Sequence, residues 1–598
     1  MKRFARIAAL CLAATLGAGA SLAHAQTGSD SKFYGEFNFG PTLGHKSSSF
    51  FGGEFGFRLT ESLDVFVEAT HMKNVGTSDN YFDLGGDSIR GIQIAALLHQ
   101  QGLGIRVRDL FQFPTIAAIA PQVRRLKRVA DQSPVVGPVM PTPFQMDFLS
   151  TVSPKHRHHF NHGVMLHSKT TFDADALAAV FARVLQHHDA LRLTLNAESL
   201  TLFNEDAKTP PAIVEYDLRE THNAFAVLPE KATEIQASIN LETGPLMKFG
   251  LIHMPDGDRL VLAVHHLAVD GVSWRILLED LQTLYQQHVQ GLALTLPQKT
   301  DSFKSWSEFL AIHANSEQFL AESDYWAAIE ATPVPLIERD GDDEQSYVCD
   351  EDRVSFVLSA DETDVLLTRV NKAFNTEVHH ILLAALGLAV TTCFGHSRAA
   401  IAIEGHGREP LQPDLDVSRT VGWFTSIYPV VLDLSEAVDL SRLIKNVKEN
   451  LRRVPHNGVG HGLLKHLTKP ELKKHLRFNL APQITFNYHG QFDADLSKLS
   501  SDVVFESPGK LRSLQSERME ELGVSCSIEG KRLHASISFS RKQHRPEKIG
   551  KFCQHYQQAL LDVLAHCSNK TTTELTPSDL TYKGLSIDAL DQFFMDHS

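Results

Sequence analysis

Apolar residues follow two rhythms along this chain, and the change falls near Val75–Asp79. Before it, Phe33, Phe37 and Phe39 alternate with Tyr34, Glu36 and Asn38. Phe55, Phe57 and Leu59 alternate with Glu54, Gly56 and Arg58, and Leu63, Val65 and Val67 with Asp64, Phe66 and Glu68. Period-two alternation interrupted by Gly and Ser runs predicts short strands joined by turns. After the change, Ile89, Ile92, Ala95, Ala96 and Leu97 recur at helical spacing behind Asp87-Ser88. From about Pro141 to Leu580, apolar strand-like runs alternate with amphipathic stretches and no short repeat is present. That pattern predicts an α/β (α+β) region long enough for two lobes of about 170–270 residues.

Residues 1–25 read as a signal-peptide-like segment: Lys2, Arg3 and Arg6, then the apolar run Ile7 to Leu16, then Ala23-His24-Ala25 as a cleavage site. Residues 26–78 resemble the opening strands of a small outer-membrane β-barrel. Such a barrel needs at least about eight strands, so the three segments here are expected not to close one. A small soluble hairpin is the plain alternative. The switch near Val75–Asp79 is read as a fusion or frame junction.

The chain has 598 residues, 43% hydrophobic and 21% charged, which suits soluble globular units. At roughly 100–200 residues per domain, three to five are expected. Lys+Arg total 57 against 71 Asp+Glu, a net charge of −14, so no nucleic acid partner is expected. The six cysteines form no C-x-x-C pair, which argues against a zinc site or redox dithiol. The five in the last 250 residues are expected as core thiols in a reducing compartment, and no metal site is predicted.

The first sharp motif is Asn80-Tyr81-Phe82-Asp83-Leu84-Gly85-Gly86-Asp87-Ser88-Ile89. Two glycines permit a tight turn, and a serine at a helix start sits beside free N–H groups that favour a phosphate. On position alone Ser88 would be an N-cap. The whole string resembles the phosphopantetheine attachment site of peptidyl carrier domains in nonribosomal peptide synthetases, with Ser88 at the modified serine. Val107 to Ile116 resembles the passage between that family's third and fourth helices. The resemblance implies a covalent 4'-phosphopantetheine on Ser88 and a phosphopantetheinyl transferase as a partner. It covers residues 79–123. Family carriers have a helix before the attachment loop, whose place the strand-like segment holds here. Ile92 and Leu97 are therefore expected to lose their cover.

Residues 124–140 read as a polar linker. Beyond it, Val261 to Val264 leads into His265-His266-Leu267-Ala268-Val269-Asp270-Gly271. A strand end before a glycine turn can aim a side chain into a cleft, and adjacent histidines point opposite ways, so one at most faces substrate. The string resembles the H-H-x-x-x-D-G motif of the condensation-domain superfamily. Pro143-Phe144-Gln145, Glu404-Gly405-His406-Gly407-Arg408-Glu409, Arg419 to Thr425, Pro455 to Gly462 and Phe486 to Asp493 resemble, in family order, the blocks of its epimerization branch. The resemblance implies two chloramphenicol-acetyltransferase-like lobes in a V shape. They are assigned to residues 141–308 and 309–580, preceded by the helical carrier remnant and the β-rich leader. Two positions depart from the family: His380 stands where an acid is usual, and His489 where a leucine is common.

Epimerization removes the α-hydrogen of a thioester and returns a proton to the other face. It needs a base, an acid opposite and stabilisation of the enolate. By resemblance, Glu404 and His266 face each other across the cleft, and either takes either role. Tyr488 is assigned as a hydrogen-bond donor to the thioester oxygen or the histidine, with core packing as its alternative. His265, Asp270, Arg192, Asn487 and Trp423 are assigned as supporting residues. Asp270 is expected to pair with Arg192 of His188-Asp189-Ala190-Leu191-Arg192, and Trp423 with Phe424 to line the arm's tunnel or pack.

The function implied is a cofactor-independent isomerase that converts a carrier-bound L-aminoacyl or peptidyl thioester to the D form. Partners implied are upstream adenylation and downstream condensation modules. Residues 581–598, with Ile587, Leu590, Phe593 and Phe594 striped among aspartates, read as a docking tail or a frayed helix. The alternatives are a peptide-bond-forming condensation domain and an inactive binding scaffold. Coenzyme A and ATP imply a cytoplasmic location, against the signal-like segment.

Overall fold

Alternation in the leader does form strands. In the computed structural model, β1 (Phe33–Pro41), β2 (Ser49–Thr60) and β3 (Leu63–Ala69) make an antiparallel sheet in that order, with Phe37 opposite Gly53 and Phe55 opposite Val67. The structure describes residues 33–41, 49–60, 63–69, 77–84, 86–125, 128–206, 212–342, 345–412, 414–436, 439–491, 503–580 and 585–597. The signal-like segment lies outside them. The chain divides into two units, residues 1–128 and 129–598.

In the first unit, α1 (Ser88–Gln100), α2 (Val107–Gln112) and α3 (Ile116–Ile119) contribute to a small core of Tyr81, Ile94, Leu98, Leu103, Leu110, Ile116, Ile119 and Val123. Asp87, not Ser88, is the N-cap of α1: its extended backbone lets its carboxylate accept the Arg90 N–H at 2.8 Å. Ser88 is thus the first helical residue. Gly86 lies against the Tyr81 ring, where a Cβ would come within 2.4 Å, so this turn requires glycine. Ile92 is 2% exposed and Leu97 half-buried, so the expected loss of cover does not hold for Ile92.

Among the described residues, the second unit holds two large sheets and a small three-stranded one made of Gly137–Val139, Thr201–Asn204 and Leu193–Asn196. Its first half runs α4 (Pro143–Thr151), β4 (Asn161–Ser168), α5 (Ala174–His187), β5 (Ile213–Asp217), α6 (Ala224–Ala237), β6 (Met247–Met254), β7 (Gly257–His265), α7 (Gly271–Val289) and α8 (Phe303–His313). Its second half runs α9 (Ser323–Glu330), β8 (Glu351–Val357), α10 (Val378–Phe394), β9 (Arg398–Gly405), β10 (Ser426–Asp433), α11 (Leu440–Arg452), β11 (Ile484–Gln491), β12 (Val503–Glu506), β13 (Leu522–Glu529), β14 (Arg532–Ser540), α12 (Pro546–Ser568) and α13 (Ile587–His597). The N-lobe sheet has the order β5-β6-β7-β4-β12, and the C-lobe sheet β8-β14-β13-β11-β9-β10. Strand β12 is therefore a piece of late sequence paired antiparallel to β4, with Glu506 opposite Met165.

Each lobe buries its own core. Phe148, Phe181, Phe249, Val264, Trp274 and Trp306 belong to the first, and Ile381, Leu386, Ile401, Val430, Phe539 and Tyr556 to the second. Helix α10 is apolar on nearly every face and buried, as a central helix must be. The lobe boundary corrects the expectation. Leu310, Ala314 and Phe319 belong to the first core and Trp326 to the second, so the change comes about 15 residues after 308. Val421, Trp423 and Val459 also return to the first core, which makes the lobes interleaved. His380 explains its own departure. Its Nδ1 accepts the Glu377 N–H at 2.9 Å, as an acid at that third helical position would. Burial holds this imidazole well below its ordinary pKa, in the neutral form that can accept.

Candidate active site

Strand β7 ends at the histidine pair, and the turn His266–Ala268 sends the two rings apart. His265 is fully buried: its Nε2–H donates to the Arg157 carbonyl at 2.7 Å, and its Nδ1 accepts the Leu267 N–H at 3.1 Å. Both nitrogens are used, so this ring is structural. His266 spends only Nδ1, which donates to the Val269 carbonyl at 2.8 Å and leaves Nε2 for chemistry. Its ring stacks on Trp423 at 4.1 Å, packs on His162 at 4.0 Å and faces Phe160 at 5.6 Å. Trp423 is thus the platform of His266. Gln145 of α4 donates to the Leu267 carbonyl at 2.8 Å, which ties the opening motif to this turn.

Asp270 caps α7, accepting from the Ser273 N–H at 2.7 Å. Its partner is not Arg192. Arg408 donates to both its oxygens, at 3.0 and 3.2 Å, and the Phe424 N–H reaches it at 3.1 Å. Arg192 instead pairs with Asp189 at 2.8 Å and donates to the Leu185 and Glu205 carbonyls. It lies three residues from its acid on a short turn, closer than Asp270 could be, and braces the N-lobe alone. Arg408 also lies over the Phe424 ring at 3.9 Å.

Glu404 sits at the end of β9 beside β11, where Ile403 pairs with Phe486. One step on, Asn487 donates to Glu404 at 2.5 Å. Ile401, Ile403, Ile484 and Phe486 face the C-lobe core, so Glu404 and Asn487 face the other way. Alternation puts Tyr488 with Phe486, and it packs against that core. The ring thereby takes the packing role that was its alternative. Burial raises Glu404 from the carboxylate range to about 7; Glu520 adds to the rise, while Arg512 and the Asn487 hydrogen bond oppose it. Burial, then His162, then Arg512 push His266 well below the ordinary imidazole value.

Three residues of this site carry no motif. His162 comes from β4, paired beside β7 with His162 opposite Val264. Arg512 lies 4.5 Å over Phe160, and Glu520 approaches Arg512 at 3.8 Å. Both come from the return of the β12 crossover, and only topology brings them here. Elsewhere, His187, His188 and Asp280 place donor atoms within 4.8 Å of one another. Asp280 already pairs with Arg419, whose charge opposes a cation there.

The carrier serine belongs to the first unit. Its place as the first residue of α1 behind a glycine turn fits a phosphate ester, because the helix's first N–H groups lack intrahelical partners.

Family comparison agrees with both parts. A model described as the condensation domain matches residues 137–586, and one described as the phosphopantetheine attachment site matches 63–121, starting earlier than the motif at Asn80 suggests. The chain is 40% identical over 538 residues to surfactin synthase subunit 1 of Bacillus subtilis (strain 168), covering 88% of this chain and 15% of that protein. It is 38% identical over 553 residues to gramicidin S synthase 1 of Brevibacillus brevis, covering 89% and 50%. The chain thus spans half or less of these relatives. Among solved structures, the epimerization domain from the third module of tyrocidine synthetase B aligns with TM-score 0.70 and 38% identity, over 74% of this chain and 99% of that one. The X-domain from teicoplanin biosynthesis, at TM-score 0.59 and 16% identity over 74% and 98%, shares the fold. The chain belongs to the condensation-domain family, as a nonribosomal peptide synthetase epimerization domain preceded by a phosphopantetheine carrier segment.

Proposed function

We propose that this chain inverts the α-carbon of an L-aminoacyl or peptidyl thioester presented by a carrier domain. The observation that carries the reading is the inverted proton affinity of two residues that share the Arg512 charge as a neighbour: Glu404 is raised to about 7 while His266 is pushed well below its ordinary value. Near neutral pH, the first proton the pair takes up therefore goes to Glu404. His266, neutral and with Nε2 free, removes the α-proton; the C–H electron pair stays on the substrate and spreads to its thioester oxygen. Glu404, as the carboxylic acid, returns a proton to the opposite face. The pair ends as imidazolium and carboxylate, and solvent protons reset it. Asn487 orients Glu404, and Trp423 orients His266. The phosphopantetheine arm on Ser88 supplies a tethered thioester, whose α-hydrogen is more acidic than an amide's.

We infer that the partners are a phosphopantetheinyl transferase and neighbouring adenylation and condensation modules, and that the chain works in the cytoplasm, where coenzyme A and ATP are available. The test uses the full chain and an intact carrier loaded with L-phenylalanine in deuterated water. D-product with deuterium at the α-position, lost in Glu404→Gln and His266→Ala, supports the reading. No exchange with several loaded carriers favours the scaffold, and peptide formation with an acceptor thioester moves the chain to the condensation branch.

A further inference from the structure

Arg512 is held unusually well for a loop residue. On one side the Asn161 N–H donates to the Leu511 carbonyl at 2.8 Å, and on the other the Ser513 N–H donates to the His159 carbonyl at 3.0 Å. The two bonds pin an antiparallel bridge between Phe160 and Arg512. Upstream, the Lys510 N–H donates to Thr233 at 3.0 Å and Gln236 of α6 donates to the Pro508 carbonyl at 3.2 Å. The guanidinium lies 4.5 Å over the Phe160 ring. The same ring faces His266 at 5.6 Å with an interplanar angle of 26°. The backbone of Phe160 is tied in as well, its carbonyl accepting the His266 N–H at 2.9 Å. A fixed cation is thereby stacked one ring away from His266.

We propose that Arg512 is a positioning residue that sets the charge state of the epimerization site, acting on both His266 and Glu404 from its seat on Phe160. The proposal rests on the epimerase reading above. A cation favours neutral imidazole at His266 and the ionised form at Glu404, so it lowers the number of protons the pair holds. Its influence reaches both groups and His162 as well. The other charges acting on His266 come from His162, and on Glu404 from Glu520, while Asn487 bonds to Glu404 and Val269 to His266. Asp270 and His489 act on His162. Glu520 is the counterweight: at 3.8 Å it offsets Arg512, and it raises Glu404 where Arg512 lowers it.

The opposition makes a discriminating experiment. The pH dependence of kcat/KM for α-deuterium exchange is measured for the full chain, Arg512→Gln, Arg512→Lys and Glu520→Gln, with thermal melts showing each is folded. At separations of about 6–10 Å and an effective dielectric near 20, loss of one charge shifts a neighbouring group by about one to two pH units. Arg512→Gln is expected to move both limbs of the profile to higher pH. Glu520→Gln is expected to move the Glu404 limb lower, and Arg512→Lys to keep the limbs in place even where the rate falls. NMR titration of the His266 ring in Arg512→Gln gives a readout independent of turnover, and its pKa is expected to rise. Exchange by the parent chain with unmoved limbs in Arg512→Gln overturns this inference alone. Limbs that move equally in Arg512→Lys overturn it too, since packing would then be the cause. Absence of exchange in the parent overturns the epimerase reading itself; an unmoved His266 titration then removes the role of Arg512 as well.

Discussion

Arg408 grips Asp270 by both carboxylate oxygens, at 3.0 and 3.2 Å, and this pair joins the E-G-H-G-R-E block of one lobe to the H-H-x-x-x-D-G block of the other. The side chains are 1% and 5% exposed, so the bond lies out of water. Asp270 in turn caps α7 and receives the Phe424 N–H beside Trp423, the platform of His266. The two blocks are therefore one mechanical unit.

Breaking that unit on one side leaves a buried charge unpaired. Asp270→Ala is expected to lose about 3–5 kcal/mol of stability, and Asp270→Ala with Arg408→Met to lose less than the sum of the two single changes. Arg192→Ala, whose bonds are elsewhere, is expected to add to Asp270→Ala without coupling. Denaturant unfolding of the five variants beside the parent checks all three statements.

Under the proposed function, the histidine pair divides into a brace and a reagent. His265→Ala removes two hydrogen bonds and leaves a cavity, with an expected loss of about 2–4 kcal/mol. His266→Ala is expected to melt near the parent temperature yet exchange the α-proton roughly 100- to 10,000-fold more slowly. Scanning calorimetry beside the exchange assay separates the two. Equal loss of stability in both variants would contradict the division.

Glu404 has a pH signature that needs no substrate. Its folded pKa, about 7, lies above the unfolded value near 4.5, so its contribution to stability is present below about pH 4.5 and is lost as pH rises through 7. Glu404→Gln has nothing to ionise and escapes that loss. Relative to the parent, the variant is expected to gain up to about 3 kcal/mol between pH 5 and pH 8. Unfolding midpoints at the two pH values test this; a constant difference would show an ordinary carboxylate.

The end of the chain docks on a basic face. Lys445 on α11 binds Asp591 at 2.7 Å and Glu574 at 2.8 Å, and Arg442 binds Asp588 at 2.7 Å. Asp588 is 78% exposed, so its pair is worth little and is screened by salt. Hydrogen exchange along α13 is expected to speed up in 1 M salt and in Arg442→Ala and Lys445→Ala, while α11 stays protected.

Fold and site were legible to different depths. Residues whose roles are local were readable: strand alternation in the leader and the turn that separates His265 from His266. Glu404 and Asn487 came only through the blocks that resemble the family's; that Glu404 ends a strand with Asn487 beside it is the structure's addition. Pairings across long stretches of chain were not. Arg192 and Arg408 are equally plausible partners for Asp270 by type, and only the folded lobes choose between them. Tyr488 was assigned by its chemistry, and strand parity, which the sequence does not display, adds a packing role against the core. His162, Arg512 and Glu520 have no motif, because sheet order and the crossover alone bring them to the cleft.

Strand β12 has a consequence for biosynthesis. It completes the edge of the N-lobe sheet with residues 503–506, pairing with a strand made from residues 161–168. A ribosome delivers those two strands far apart in time. The N-lobe therefore waits for most of its neighbour before its sheet is finished, and contacts so distant in sequence form slowly. Both large sheets are thus completed together, once residues beyond 503–506 have emerged. A product cut short in the C-lobe would leave β4 an open edge, exposed to other chains rather than holding half of a working site.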